Sequence, residues 1–344
     1  MPNITLYDNI RLYFLRGESI MCLKRERLNW VDIAKGIAIT LVVVGHMLRG
    51  FTSAGLYNQY KGILNYIDFT LYSFHVPLFF LASGLLYSYK THIDSKDELL
   101  SFIKKKCKVI IPPYILFSLA QLVIKIIMSN SVNHKVKAFD LVKIIYMPVE
   151  QFWFLYALLL IFIICAILDY KISSNKLKLL IVTILYIVYP HLTTVCAIRE
   201  ACKYLIYFFI GRFFIEKDIK LNTSFCISSY LITNLIFYNL HIKNYLLEII
   251  IAFLGICMII SISSFIKFDV ITKLGRYTMP IFLMHTILGS GARIILIKLG
   301  IENLLIQVII GLIFGITVPI YLYKLYKYAT NIIKNKTYQK QFIS

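Results

Sequence analysis

WVDIAKGIAITLVVVGH, at residues 30–46, is an apolar run interrupted by three ionisable side chains. Extended to residue 49, the run has about the 20 residues that a helix needs to cross a bilayer. Asp32, Lys35 and His46 lie inside it. An ionisable group there is costly, by about 2.5–3.5 kcal/mol on insertion scales. The run therefore predicts a membrane-spanning helix whose polar groups have a functional or a structural purpose.

The rest of the chain has the same apolar character. Of its 344 residues, 59% are hydrophobic and 16% are charged, whereas soluble domains average about 45–50% and about 25%. This composition predicts an all-α polytopic membrane protein with about ten transmembrane helices in one bundle. The net charge of +20 fits basic cytoplasmic loops, and we expect no nucleic-acid partner. The cysteines form no CxxC motif, so we expect neither a disulfide framework nor a metal site.

Ten apolar stretches set the expected topology. They lie near residues 31–49, 67–89, 109–128, 151–169, 179–195, 201–216, 223–241, 245–266, 277–297 and 304–326. With a cytoplasmic N-terminus, this order puts the Lys-rich loops on the cytoplasmic side, as the positive-inside rule requires. We therefore expect a protein of the cell inner membrane with both termini cytoplasmic. Its expected parts are a tail at 1–29, a membrane domain at 30–328 and a second tail at 329–344.

Two segments outside the spans carry separate expectations. Residues 1–28 are polar and basic, without the apolar region of a signal peptide. A basic stretch follows Met21, so residues 1–20 are either an upstream extension of a shorter product or an ordinary cytoplasmic tail. The outer loop near 129–150 is expected to carry a short interfacial helix.

Three residues of the first span share one helix face. Asp32 and Lys35 are three apart, so they can pair near the cytoplasmic boundary. His46 follows Lys35 by about three helical turns, which puts it roughly 16 Å farther along the same face. This arrangement indicates a functional face, and an interhelical hydrogen bond is the structural alternative for His46.

The second span carries His75 within FHVPLFFLASGLLY (74–87). Pro77 frees a backbone carbonyl beside His75. The depth of His75 allows its imidazole to converge with that of His46. Gly84 is more typical of close helix packing than of catalysis.

Later spans carry further polar groups near their ends. The lysine cluster at 104–108 precedes two prolines that are expected to fix the start of the third span. The cluster is either a topological anchor or a basic mouth for a phosphorylated ligand. Glu150 is a candidate polar group at the outer face, and Arg276 lies at the inner edge before His285. For His285, a functional role and a structural hydrogen bond are equally open.

Five of these stretches resemble the acyltransferase family 3 membrane proteins, the O-acyltransferases of bacterial surface polysaccharides. They are WVDIAKGIAITLVVVGH (30–46), FHVPLFFLASGLLY (74–87), FIKKKCKVIIPPY (102–114), QFWFLYALL (151–159) and LGRYTMPIFLMH (274–285). They follow the family's order and spacing and span nearly the whole chain. The similarity is greatest to the branch of fucose 4-O-acetylase-like enzymes.

The resemblance implies a ten-helix bundle that moves an acyl group, usually acetyl, from cytoplasmic acyl-CoA to a sugar hydroxyl. It implies His46, His75 and Asp32 as catalytic residues. His46 would act as the general base, and His75 would orient it or stabilise the oxyanion. Direct transfer and a histidine-borne acyl relay are both open.

The resemblance also implies residues that bind the donor, acetyl-CoA. The family's basic residue before the first histidine falls on Lys35, and its later basic pair falls on Lys105 and Lys108. These positions are more often Arg in the family, and Lys offers a point charge in place of a bidentate fork. His285, Glu150 and Arg276 are additional candidates.

The expected partners are a polysaccharide or lipid-linked sugar acceptor, the lipid bilayer and polysaccharide-synthesis proteins. Two other classes of protein compete with this interpretation. A transporter or flippase for a lipid-linked sugar explains buried histidines equally well, although the sequence has no sign of inverted repeats. An assembly subunit without catalysis would not need buried ionisable groups.

Overall fold

The computed structural model describes residues 29–128, 140–192, 196–215, 221–242, 244–266 and 268–341. Regular secondary structure in these ranges is entirely helical. The helices are α1 (Asn29–Ser53), α2 (Lys61–Tyr72), α3 (His75–Lys90), α4 (Lys96–Ile127), α5 (Asp140–Lys143), α6 (Trp153–Lys171), α7 (Asn175–Leu192), α8 (Cys196–Gly211), α9 (Thr223–Asn239), α10 (Tyr245–Phe265), α11 (Asp269–Arg276), α12 (Thr278–Lys298), α13 (Leu304–Leu312) and α14 (Val318–Gln341). A π-helical turn (Ile313–Thr317) joins the last two.

Two expectations fall largely outside the described residues. The segment 1–28, with its alternative start, is one of them. The other is the interfacial helix in the outer loop, of which only the part after residue 139 is described. That part contains the four-residue helix α5.

Seven helical segments of the described chain are long and apolar enough to cross a membrane. They are Asn29–Ser53, Asn58–Tyr89, Lys96–Ile127, Glu150–Lys171, Tyr245–Phe265, Thr278–Lys298 and Leu304–Ile332. This set fits the predicted multi-pass α-helical membrane protein but does not confirm the count of ten. The other three predicted spans coincide with α7, α8 and α9, whose lengths of 18, 16 and 17 residues are near the lower limit for crossing a bilayer.

Helix α4 begins earlier than the sequence predicted. The expectation that two prolines fix its start is wrong, because both lie inside the helix. Its start is fixed by a capping box at Ser95 and Glu98. The Glu98 N–H donates to the Ser95 Oγ at 3.2 Å, and the Ser95 N–H donates to the Glu98 carboxylate at 3.1 Å. The lysine cluster is therefore helical.

The second predicted span is broken between α2 and α3. The Nδ1–H of His75 donates to the carbonyl oxygen of Leu71 at 2.5 Å, so the imidazole satisfies an acceptor at the end of α2. Pro77 has no N–H to contribute to the first turn of α3, where a proline is tolerated. The break fixes the imidazole of His75 at the junction of the two helices.

Two pairs of helices approach each other closely at glycines. A Cβ on Gly275 of α11 would lie 1.8 Å from the carbonyl oxygen of Asp32 on α1. A Cβ on Gly84 of α3 would lie 1.8 Å from the carbonyl oxygen of Phe208 on α8. No other residue fits at either position, which supports the packing role predicted for Gly84.

The outer surface of the bundle is apolar. Large side chains such as Leu116 of α4, Ile232 of α9 and Leu305 of α13 are exposed. Aromatic rings fill the interior, and Phe80 of α3 stacks on Tyr204 of α8 with ring centroids 4.7 Å apart. Apolar groups on both the inside and the outside fit a bundle that is surrounded by lipid.

Candidate active site

A cavity of about 970 Å³ follows α1 from Lys35 to Arg49. The two residues are fourteen apart, which corresponds to about 21 Å along the helix. The hydrocarbon core of a bilayer is about 30 Å thick, so this length corresponds to most of that thickness. Side chains of α2, α3, α4, α6, α8 and α12 complete its wall.

The three histidines predicted from the sequence lie together, and two of them, His46 and His75, line this cavity. The rings of His46 and His285 are 5.1 Å apart between centroids. On the other side of His46, the ring of Tyr72 lies 6.2 Å away. Tyr72 in turn lies 4.5 Å from the ring of His75. His46 and His75 thus converge as the sequence suggested, with Tyr72 between them; nothing in the sequence distinguished this tyrosine from the other aromatic residues.

Backbone contacts fix the protonated nitrogen of two of these imidazoles. Nδ1 of His75 is bonded to the carbonyl of Leu71, and Nδ1 of His285 lies 3.0 Å and 2.9 Å from the carbonyls of Ile281 and Phe282. A carbonyl oxygen only accepts, so Nδ1 carries the proton in both rings. In the neutral imidazole Nε2 is then a hydrogen-bond acceptor. Both rings are thus prepared to accept a hydrogen bond at Nε2.

His46 differs from the other two histidines. Within the described residues it makes ring contacts with Tyr72 and His285 but no hydrogen bond. The structural alternative for His46, an interhelical hydrogen bond, is therefore not seen within the described residues. Because His46 also lines the large cavity, its imidazole is available to a ligand.

One end of the cavity is basic. Lys35 lines it, and the Lys35 Nζ lies 2.8 Å from Oδ1 of Asp32. The other carboxylate oxygen of Asp32 lies 3.5 Å from Nε of Arg276. The close approach of α11 to α1 brings Arg276 to this position. The structure thus brings three predicted residues together, with Asp32 between two cations.

Asp32 itself is remote from the imidazoles. It is not among the residues that line the cavity. It precedes His46 by fourteen residues in α1, or about 21 Å along the helix axis. Asp32 therefore pairs with Lys35 and Arg276 at a distance from the ring of His46, and its predicted catalytic role stays a prediction.

The lysine cluster presents one side chain to the cavity, and it is Lys106. Its Nζ lies 3.7 Å from the ring centroid of Phe162, which also lines the cavity. Lys105 and Lys108 are exposed on α4 and are not among the lining residues. Their predicted role in donor binding stays a prediction. The sequence missed Lys106 because only the rotation of α4 decides which lysine faces inward.

The opposite end carries carboxylate and amide groups. Glu150 pairs with Lys125, and its carboxylate accepts the Gln121 Nε2–H at 2.5 Å. Gln151 donates to Oε1 of Gln121 at 2.8 Å and to Oγ1 of Thr286 at 2.7 Å. Glu150 was predicted, and its backbone has a φ of 40°, which is uncommon outside glycine. Gln121, Gln151 and Thr286 were not predicted, although each is a polar residue in or beside an apolar span.

A second ion pair lies beside this end. Arg49 binds Asp68 through two contacts, of 2.6 Å and 3.0 Å. Its guanidinium carbon also lies 3.2 Å from the ring centroid of Tyr72. Arg49 lines the cavity close to the histidines. Arg49 was not predicted from the sequence, although it stands at the end of an apolar span.

Comparison with known proteins identifies the family. No curated protein and no solved structure matches the chain. Residues 28–324 match the family 3 acyltransferase domain, and the match includes all the histidines, lysines and carboxylates described above. Since this match covers most of the 344 residues, the chain belongs to the acyltransferase family 3.

Proposed function

We propose that this acyltransferase moves an acetyl group from acetyl-CoA to a hydroxyl of a surface-polysaccharide sugar or of its lipid-linked precursor. One observation carries the proposal. A single cavity connects a basic end, the imidazoles of His46 and His75, and an end at which Glu150, Gln121 and Gln151 offer carboxylate and amide groups. Two substrates that approach from opposite ends would meet at the imidazoles.

The basic end suits the donor. Coenzyme A carries several phosphate charges, which the cations of Lys35 and Lys106 attract. Lys35 precedes His46 by roughly 16 Å along α1, a distance that the extended pantetheine arm of the donor would cover. Asp32, which also pairs with Arg276, holds the ammonium of Lys35 in place.

The opposite end suits a sugar. Amide and carboxylate groups exchange hydrogen bonds with hydroxyls, and Gln121, Gln151 and Glu150 supply such groups here. Tyr72 and Arg49 add an aromatic ring and a rigid fork of donors next to the imidazoles. A sugar bound at this end would present a hydroxyl to His46.

The chemistry requires a base at the hydroxyl. His46 accepts the hydroxyl proton while the oxygen attacks the thioester carbonyl carbon. The carbon–sulfur bond then breaks, and the proton passes from His46 to the departing thiolate. Because Nε2 of His75 accepts, its neutral ring fits the orienting role expected for it and not that of a donor to the oxyanion. A histidine-borne acyl intermediate is the alternative, and it would give ping-pong kinetics.

The remaining expectations complete the proposal. We infer ten spans in the cell inner membrane with both termini cytoplasmic, so that the basic end faces cytoplasmic acetyl-CoA. The resemblance to the fucose 4-O-acetylase-like branch favours a surface-glycan acceptor and cooperation with polysaccharide-synthesis proteins. Membership of an acyltransferase family weighs against a transporter or flippase.

Transfer of labelled acetyl groups tests the proposal. Membranes with and without the protein are incubated with labelled acetyl-CoA and the native glycan precursor. We expect label in the glycan only when the protein is present, together with O-acetyl signals in NMR spectra of the surface glycan. Unchanged O-acetylation of every glycan after deletion of the gene would contradict the proposal and favour the transporter.

A further inference from the structure

A second, much smaller cavity adjoins the large one and shares His46, Ser290 and Arg293 with it. Residues of α1, α12 and α13 line it. Its volume is about 30 Å³. His46, His285, Arg293 and Gln307 are among the residues that line it. A buried cavity holds a water molecule when it offers about 10–15 Å³ and two to four polar partners. The small cavity meets both conditions.

Three of its side chains have an unmet hydrogen bond. Nε2 of His285, Nε of Arg293 and Oε1 of Gln307 are buried and have no partner in the described part of the chain. The three residues are only 2%, 9% and 2% exposed. Buried polar atoms nearly always have a partner, so three such atoms around one cavity indicate a partner that they share.

Other contacts fix what each atom needs. His285 is protonated at Nδ1, so its Nε2 accepts. Gln307 donates its Nε2–H to the carbonyl of Ile301 at 2.8 Å, so its Oε1 is the atom left to accept. The Nε–H of Arg293 donates. Water donates two hydrogen bonds and accepts two, whereas an anion would face two acceptors. The set therefore fits water.

We propose that one ordered water occupies this cavity and fixes the orientation and tautomer of His46. The water accepts from Arg293 and donates to His285 and Gln307. One lone pair remains, and it accepts the N–H of His46, whose other ring nitrogen then faces the large cavity as the base. This inference rests on the proposed function, and it makes His285, Arg293 and Gln307 positioning residues.

A methyl group at Gly289 tests the water without removing any polar group. Gly289 lines the small cavity, and the nearest neighbours of a Cβ there would be 4.0 Å away. Gly289→Ala should therefore fold, and its methyl reduces the space that is available to the water. We expect its kcat for acetyl transfer to fall about 10- to 100-fold, as for other groups that orient an imidazole, with KM for acetyl-CoA unchanged.

Gly62→Ala is the matched control, because it adds the same methyl in α2, outside both cavities and with no atom within 4 Å. A cryo-EM map that resolves water should show density in the small cavity of the unsubstituted protein and none in Gly289→Ala. This readout does not depend on activity, so it remains decisive even if the proposed function fails. The absence of density from this cavity in the unsubstituted protein would overturn the inference. An unchanged kcat in Gly289→Ala would also overturn it.

A second pair of variants keeps the test independent of Gly289. His285→Gln retains an acceptor, and His285→Leu does not. We expect the glutamine variant to keep most of the turnover that the leucine variant loses, at equal protein level. Equal losses in the two variants would show that the ring of His285 only fills space.

Discussion

His46 and His285 lie with their ring centroids 5.1 Å apart, although they belong to helices at opposite ends of the chain. His285 binds backbone carbonyls through Nδ1, while His46 makes no hydrogen bond within the described residues. One imidazole is thus fixed by the fold, and the other is available to substrates. This difference is why the proposed function gives the role of general base to His46.

Replacement of His46 should abolish most of the activity. A base in the transition state contributes about 10²–10⁴-fold, so His46→Ala should lower acetyl transfer at least about a hundredfold. Transfer is measured in membranes with labelled acetyl-CoA, and protein is quantified in parallel. His92→Ala changes an exposed histidine and should retain full turnover. Near-normal turnover in His46→Ala would show that the imidazole only packs in the bundle and is not the base.

Donor binding should depend on the lysine that faces the cavity. Lys106→Ala should raise the apparent KM for acetyl-CoA several-fold with a smaller effect on kcat, because it removes a charge from the basic end. Lys105→Ala with Lys108→Ala removes two exposed charges, and we expect a smaller rise that disappears at high salt. Kinetics at two salt concentrations distinguish these cases. A larger rise in this KM in the double variant than in Lys106→Ala would show that Lys105 and Lys108, the pair predicted from the sequence, bind the donor.

Acceptor recognition should depend on the geometry of Arg49. Arg49→Lys keeps the charge but loses the two-point contact with Asp68 and the planar contact with Tyr72. We expect the KM for the glycan acceptor to rise about tenfold while the KM for acetyl-CoA stays constant. Arg199→Lys, on α8 and outside the cavity, serves as the control. A selective change in donor KM would contradict the assignment of this end to the acceptor.

The contact between α11 and α1 should not tolerate a side chain. In Gly275→Ala the new methyl would lie 1.8 Å from the carbonyl oxygen of Asp32, so backbone must move. Overpacking of this kind costs about 1–3 kcal/mol. We expect a lower melting temperature in detergent and a higher KM for acetyl-CoA, since Arg276 and Lys35 shift with the contact. Gly62→Ala, again the control, should melt at the normal temperature.

The number of spans can be decided by two reporter fusions. With a cytoplasmic N-terminus and ten spans, a fusion after Leu240 is external and a fusion after Gln341 is cytoplasmic. If only the seven long segments cross, both locations reverse. Alkaline phosphatase and a cytoplasmic fluorescent reporter distinguish the two outcomes, and a fusion after Ser174 should read cytoplasmic in either case.

Apolar periodicity and charge determined the fold class from the sequence alone. A run of about 20 apolar residues has few alternatives to a spanning helix, because backbone groups in lipid must be satisfied locally. The same reasoning selected Asp32, Lys35 and His46, since an ionisable group in such a run is costly enough to need a purpose. Local patterns also indicated the close packing at Gly84.

Only the tertiary structure decided which polar groups meet. Successive residues of a helix point about 100° apart, so Lys105, Lys106 and Lys108 face different directions. Because α4 contacts both lipid and protein, its sequence does not reveal that Lys106 is the lysine that faces the cavity. The contact of Tyr72 with the imidazoles follows from the break before His75. The cavity at Gln307 combines α1 with α12 and α13, which lie at the other end of the chain. Such contacts depend on how the helices pack, which hydrophobic patterning alone does not specify.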